Sequence, residues 1–146
     1  MMSTATTERH EGIKDEIRSR LHQAGQRFTP EREALVETLY ESHRAVTPQE
    51  LYEAARTRAQ VGLTTAYRIL ETLTRIGYCQ VILLDGELRY SLCRPTHHHH
   101  LVCTECKGVE EFAACSLEGA EVGGFKATSH RVEIFGICEA CQEARR

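Results

Sequence analysis

The chain has 146 residues, 41% of them apolar, and a formal net charge of −3, which allows one real core or two small ones near the lower limit of independent stability. No uninterrupted run of about 18 apolar residues occurs and the N-terminus carries no apolar stretch, so neither a membrane span nor a signal peptide is expected and the chain reads as cytoplasmic. Seven cysteines, an odd number without an export signal, point to thiolate metal ligation rather than to disulfides.

Residues 1–8 are polar and Thr-rich; then Ile13, Ile17, Leu21 and Ala24 recur at helical spacing up to Gly25 and predict a first amphipathic helix. Thr29-Pro30-Glu31 starts a second, with Thr as N-cap, Pro at the first helical position, and Leu35, Val36, Leu39 and Tyr40 as its apolar face. Thr47-Pro48-Gln49-Glu50 starts a third in the same way, fits a capping box and turns Leu51, Tyr52 and Ala55 inward. After Gly62, Thr64 or Thr65 can cap a fourth, with Ala66, Ile69, Leu70 and Leu73 facing the core and a stop at Gly77. Tyr78 to Leu84 and Glu87 to Leu92 read as strands joined by an Asp85-Gly86 hairpin turn. Helices followed by this hairpin make a winged helix over residues 1–92.

Arg94-Pro95-Thr96 reads as a hinge within residues 93–96, since Pro restricts both its own backbone and the residue before it. Beyond it, His97 to Cys103, Val109 to Phe112 and Arg131 to Ile137 are expected as strands, with a short helix near Leu117 to Val122. Residues 97–146 are thus a small α+β domain whose thin core suits a homodimer. The expected fold class is α+β throughout.

The strongest chemical signal is a pair of knuckles, Cys103-x-x-Cys106 and Cys138-x-x-Cys141, separated by 31 residues. Two such pairs complete a tetrahedral four-thiolate zinc site with no open position, hence structural rather than catalytic. His97-His98-His99-His100 precedes the first knuckle. In an extended segment His98 and His100 project to one face and His97 and His99 to the other, so one strand can serve two metal sites. Cys93 lies within reach of the His98/His100 face, and Cys79 on the paired wing strand is the expected fourth ligand; thiolate and imidazole together favour zinc. His130 and Glu118 are the expected partners of His97 and His99.

The segments Gly25 to Arg32, Gly62 to Arg68, His97 to Cys106 and His130 to Cys138 resemble motifs of the ferric uptake regulator (Fur) superfamily, in the same order and over nearly the whole chain from about Ile13 to Cys141. The resemblance implies a winged-helix DNA-binding domain, a C-terminal dimerisation domain, a structural zinc and a regulatory metal at the hinge. It also implies that the fourth helix enters the major groove with Thr64, Tyr67 and Arg68 near its start, and that Arg27 reaches the backbone or minor groove. The net charge does not advertise this partner: residues 1–92 hold 12 Lys+Arg against 13 Asp+Glu, a balance of −1, so phosphate contact must come from a local arrangement of arginines. Where iron and peroxide sensors carry a histidine before the third helix and an acidic residue in the second wing strand, this chain has Ala45 and Ser91. Cys93 instead resembles a ligand of the zinc uptake regulator (Zur) branch.

The resulting expectation is a metal-dependent homodimeric repressor, most like a zinc sensor, that binds operator double-stranded DNA and has no small-molecule substrate and no membrane partner. Manganese or iron at the regulatory site is the alternative. A zinc hydrolase is disfavoured, because no H-E-x-x-H or H-x-E pairing supplies a general base.

Overall fold

A computed structural model describes residues 12–146; the polar stretch 1–8 lies outside them. The chain divides into two compact units, Met1–Pro95 and Thr96–Arg146.

The first unit opens with α1 (Ile13–Gln23), α2 (Pro30–Ser42), α3 (Pro48–Ala55) and α4 (Leu63–Arg75). Helix α1 buries Ile13, Ile17 and Leu21, one residue per turn, and stops where Gly25 takes φ +72 and its N–H reaches the His22 carbonyl at 3.0 Å. Ala24, expected in the apolar stripe, is instead the exposed C-cap. Helices α2 and α3 begin alike: Thr29 Oγ1 accepts from Arg32 N at 3.2 Å and Thr47 Oγ1 from Glu50 N at 3.1 Å, each followed by Pro at a position whose missing N–H costs nothing. Only half of the expected capping box forms, because the Glu50 carboxylate pairs with Arg89 at 2.9 Å. Helix α4 has Gly62, not Thr64 or Thr65, as N-cap; the Gly62 N–H is taken by Glu31 Oε1 at 2.8 Å. The four helices share one apolar core that includes Leu21, Leu35, Leu39, Leu51, Ile69 and Leu73.

Strands β1 (Cys79–Leu84) and β2 (Glu87–Leu92) form the wing, paired antiparallel from Cys79↔Leu92 to Leu84↔Glu87. Asp85 and Gly86, at φ +52 and +78, make the two-residue turn that matches strand twist. Val46, just before α3, pairs with Tyr90 through hydrogen bonds of 3.0 and 2.8 Å, and buried Arg89 donates to the Ala45 carbonyl at 3.1 Å. These contacts fix the wing to the helices.

In the second unit β3 (His99–Cys103), β4 (Val109–Phe112) and β7 (Glu133–Gly136) form a sheet in the order β4-β3-β7, antiparallel on the β4 side and parallel on the β7 side. Residues 117–122 do not form the expected helix. Leu117 to Gly119 turn, and β5 (Glu121–Val122) pairs with β6 (Phe125–Lys126) across Gly123-Gly124, whose φ values of +56 and +82 are those of a tight hairpin turn. A short helix α5 (Glu139–Ala144), not expected from the sequence, closes the chain, with Arg145 paired to Glu105 beside the first knuckle.

Candidate metal centres and nucleic-acid interface

The register of the central sheet explains why ligands distant in sequence meet. Parallel pairing of Cys103 with Gly136, reinforced by Thr104 N donating to the Gly136 carbonyl at 2.8 Å, brings both knuckles out at the same end of the sheet. There Cys103 Sγ lies 3.8 Å from Cys141 Sγ, Cys106 Sγ lies 3.8 Å from Cys138 Sγ, and all four sulfurs fall within 4.8 Å of one another. A tetrahedron with ~2.3 Å zinc–sulfur bonds has sulfur–sulfur edges of ~3.8 Å, so the four thiols fit zinc. All are free cysteines. Burial opposes ionisation of Cys103, yet N–H groups of Cys138 and Cys106 aimed at its sulfur bring the thiol down to about 7. Contact with Cys138, then burial, pushes Cys141 up to about 12. Four crowded thiols cannot all ionise without a cation among them.

At the opposite end of the same sheet the histidine run alternates as expected. His98 Nε2 and His100 Nε2 converge at 3.1 Å, and Glu111, which pairs with His100 across β3 and β4, places Oε1 3.8 Å from His98 Nε2. Burial first, and His98 second, hold the His100 imidazole down at about 4 despite Glu111 and Glu133, so it is neutral at neutral pH, as a metal ligand must be. Glu111 carries no spacing signal that sequence reasoning used; its pairing with His100 supplies the signal.

On the other face, His97, His99 and His130 come together, with ring centroids 4.9 Å apart for His97–His99, 4.8 Å for His97–His130 and 5.2 Å for His99–His130. The fourth member is Cys115, not Glu118: Cys115 Sγ lies 3.0 Å from His130 Nε2, the four ligand atoms fall within 4.8 Å of one another, and Glu118 is exposed outside the group. The reason is positional. Strand β4 runs antiparallel to β3 with His99 opposite Phe112, so the chain leaving Phe112 is already at the histidine end when it reaches Cys115, whereas Glu118 sits on the outward turn before β5.

Cys93 and Cys79 belong to the first unit. Cys79 opens β1 inside the apolar core, its sulfur 4.0 Å from the Gln80 carbonyl; burial, then the Cys93 thiol, pushes its pKa far up. It therefore packs as a small apolar side chain, and the expectation that it is the fourth hinge ligand finds no geometric support. Cys93 is also buried, with its N–H on the Tyr78 carbonyl at 3.0 Å. Ala45 and Ser91 are buried at 0% and 6% exposure.

On the helical unit, Thr64, Tyr67 and Arg68 lie on the exposed side of α4, opposite buried Ala66, Ile69 and Leu70; Tyr67 is 50% exposed. A large ring left half in water by a well-packed helix is available for contact rather than packing. Beside it, a cleft of about 410 Å³ is lined by Gln26, Arg27, Thr29, Glu31, Arg32, Thr65 and Arg68. Three guanidinium groups thus converge within a unit whose overall charge is nearly balanced. Arg32, missed in the sequence reading, is held by its own donation to the Arg27 carbonyl at 2.8 Å.

A winged helix joined to a small sheet domain that carries a four-thiol cluster and two imidazole groups defines a metal-binding, DNA-reading class of protein. The chain belongs to the ferric uptake regulator family, whose sequence model matches residues 23–135. It is 36% identical over 138 residues to the ferric uptake regulation protein of Bacillus subtilis (strain 168), covering 87% of this chain and 93% of that one. It is 32% identical over 131 residues to the peroxide-responsive repressor PerR of Staphylococcus epidermidis, covering 84% and 86%. Among solved structures, a zinc uptake regulator complexed with zinc and DNA aligns over 98% of this chain and 99% of that chain, with a TM-score of 0.63 and 26% identity. No helix among the described residues is long and apolar enough to cross a membrane.

Proposed function

We propose that this Fur-family regulator is a zinc-responsive homodimeric repressor that grips operator DNA when zinc occupies a site at residues 93–100. The observation that carries the zinc reading is the donor chemistry: the side chains offered there are the thiol of Cys93 and the imidazoles of His98 and His100, while Ala45 and Ser91 are buried and supply no imidazole or carboxylate. Sulfur with imidazole suits zinc better than manganese. Only three residues, Arg94 to Thr96, separate Cys93 from the start of the histidine run, so a metal held by both sides of Pro95 restricts the hinge and links metal binding to the spacing of two recognition helices, which must match about one DNA turn.

Homodimer formation is supported by the apolar side chains that the second unit leaves in water, among them Phe125 at 80%, Val122 at 71% and Ile134 at 51% exposure. DNA contact is supported by the exposed Tyr67 and Arg68 beside the arginine-lined cleft: tyrosine can meet thymine methyl groups, and arginine guanine or phosphate. Glu111 favours a second reading, iron or manganese, because its carboxylate 3.8 Å from His98 adds an oxygen donor of the kind those ions prefer. Titration with zinc, manganese and iron(II), read by binding to DNA fragments selected on the metal-loaded protein, separates the two. Zinc is expected to activate at the lowest free concentration, and activation by iron or manganese alone overturns the zinc assignment.

A further inference from the structure

We propose that Glu31 is a positioning residue for the DNA-reading helix: its carboxylate, reaching from the first turn of α2, holds the start of α4 in the orientation that discriminates one DNA sequence from another. The proposal rests on the reading that α4 meets DNA. Helix α4 lacks the means to fix its own start. Its N-cap is Gly62, no side-chain cap forms there, and its first turn carries no acidic residue. The third helical position is Thr65, where a capping box would place a Glu or Gln that reaches back to the N-cap N–H. Glu31 performs that task from another helix, its Oε1 accepting from Gly62 N at 2.8 Å across 31 residues of sequence. The same carboxylate belongs to the first turn of α2, so one anion stands near the N-terminal ends of two helices, where negative charge is favoured.

Glu31 also lines the cleft that holds Arg27, Arg32 and Arg68, and two effects on DNA binding follow. Attraction between arginine and phosphate is independent of sequence and supplies affinity for any duplex. The carboxylate offsets part of the three guanidinium charges, so it lowers that affinity for right and wrong DNA alike. Contacts to base edges, in contrast, depend on where α4 lies against the groove, so the tie to Gly62 contributes when the sequence is right. Specificity is the difference between the two affinities, and Glu31 widens it by holding the helix rather than by touching a base.

The test compares the zinc-loaded full chain with its variants for affinity, by fluorescence anisotropy, to a DNA fragment selected on the metal-loaded parent and to a scrambled fragment of the same length and composition. Glu31→Ala removes both acceptor and charge. It is expected to bind the scrambled fragment at least as tightly as the parent does and the selected fragment more weakly, so that the ratio of the two affinities falls about tenfold, the equivalent of one hydrogen bond to a charged group. A folding defect lowers both affinities together and does not give this pattern. Glu31→Gln drops the charge but keeps an acceptor for Gly62 N, and should keep the parent's ratio within about twofold. Gly62→Ser added to Glu31→Ala gives α4 a cap of its own, with room for a Cβ that meets Thr65 Oγ1 at 4.0 Å; it should recover thermal stability without recovering the ratio. A Glu31→Ala chain with the parent's ratio, a Glu31→Gln chain that loses the ratio as far as Glu31→Ala, or a ratio restored by Gly62→Ser overturns the proposal. Arg68→Ala checks the reading beneath it: unaltered affinity for the selected fragment removes α4 as the reader and this proposal with it, while a weakened Arg68→Ala beside an unchanged Glu31→Ala ratio overturns this proposal alone.

Discussion

Individual side chains carry different kinds of consequence in the two units. Cys103 and Cys138 belong to a thiol cluster at which a bound zinc would tie the beginning of the second unit to its end, and a structural zinc contributes about 10–16 kcal/mol of apparent binding free energy in small zinc-dependent peptides. Cys103→Ser or Cys138→Ser should therefore lose zinc and the cooperative unfolding of residues 96–146, as seen by metal analysis and calorimetry; a variant with the parent's zinc content and melting temperature would contradict a four-cysteine site. Arg68 has no such structural duty on its exposed side of α4. Arg68→Ala should weaken operator binding by about 1–3 kcal/mol, measured by fluorescence anisotropy, with metal content unchanged. Sequence reading found both cysteine pairs because two C-x-x-C knuckles announce themselves by spacing. Cys115, which the structure places beside His97, His99 and His130 where Glu118 was expected, has no local pattern as a lone cysteine in a loop, and its position comes from the antiparallel return of β4 beside β3.

Secondary-structure elements were legible in proportion to the strength of their end signals. Thr-Pro at the starts of α2 and α3 fixed both helices to the residue, since cap oxygen and proline ring act within one turn. Thr47→Ala should remove the 3.1 Å cap to Glu50 N and cost about 1 kcal/mol in thermal or chemical denaturation. The stop after α4 is stricter. Gly77 sits at φ +87, and a Cβ there would lie 2.8 Å from Pro95 Cβ, so Gly77→Ala meets both a strained backbone and a clash with a ring that has little freedom to move; an expected loss of about 1–3 kcal/mol is checked by the same denaturation midpoint. The short helix expected near Leu117 to Val122 gives way to a hairpin, because Gly123-Gly124 take the left-handed geometry of a tight turn and pair Val122 with Phe125. Helix α5 gave no signal: its six residues have no apolar stripe and none of them is buried.

Across the chain, one sheet gathers the candidate metal-ligand groups of the second unit. Its parallel β3–β7 pairing gathers four thiols at one end and its histidine run serves two groups at the other, so both kinds of site depend on the same register. The central claim, that zinc near Cys93 licenses DNA binding, is tested most directly by operator affinity measured across free zinc for the parent chain and for Cys93→Ser, with zinc per subunit counted alongside. Serine offers a hard, normally protonated oxygen that binds zinc poorly, while the four-cysteine site is untouched. The account predicts that the parent gains affinity by about 5–150-fold on zinc addition, the usual range for coupling between sites, and that Cys93→Ser stays folded, keeps its structural zinc and shows no such gain. A Cys93→Ser chain that is activated by zinc at the same free concentration and to the same extent as the parent would contradict it.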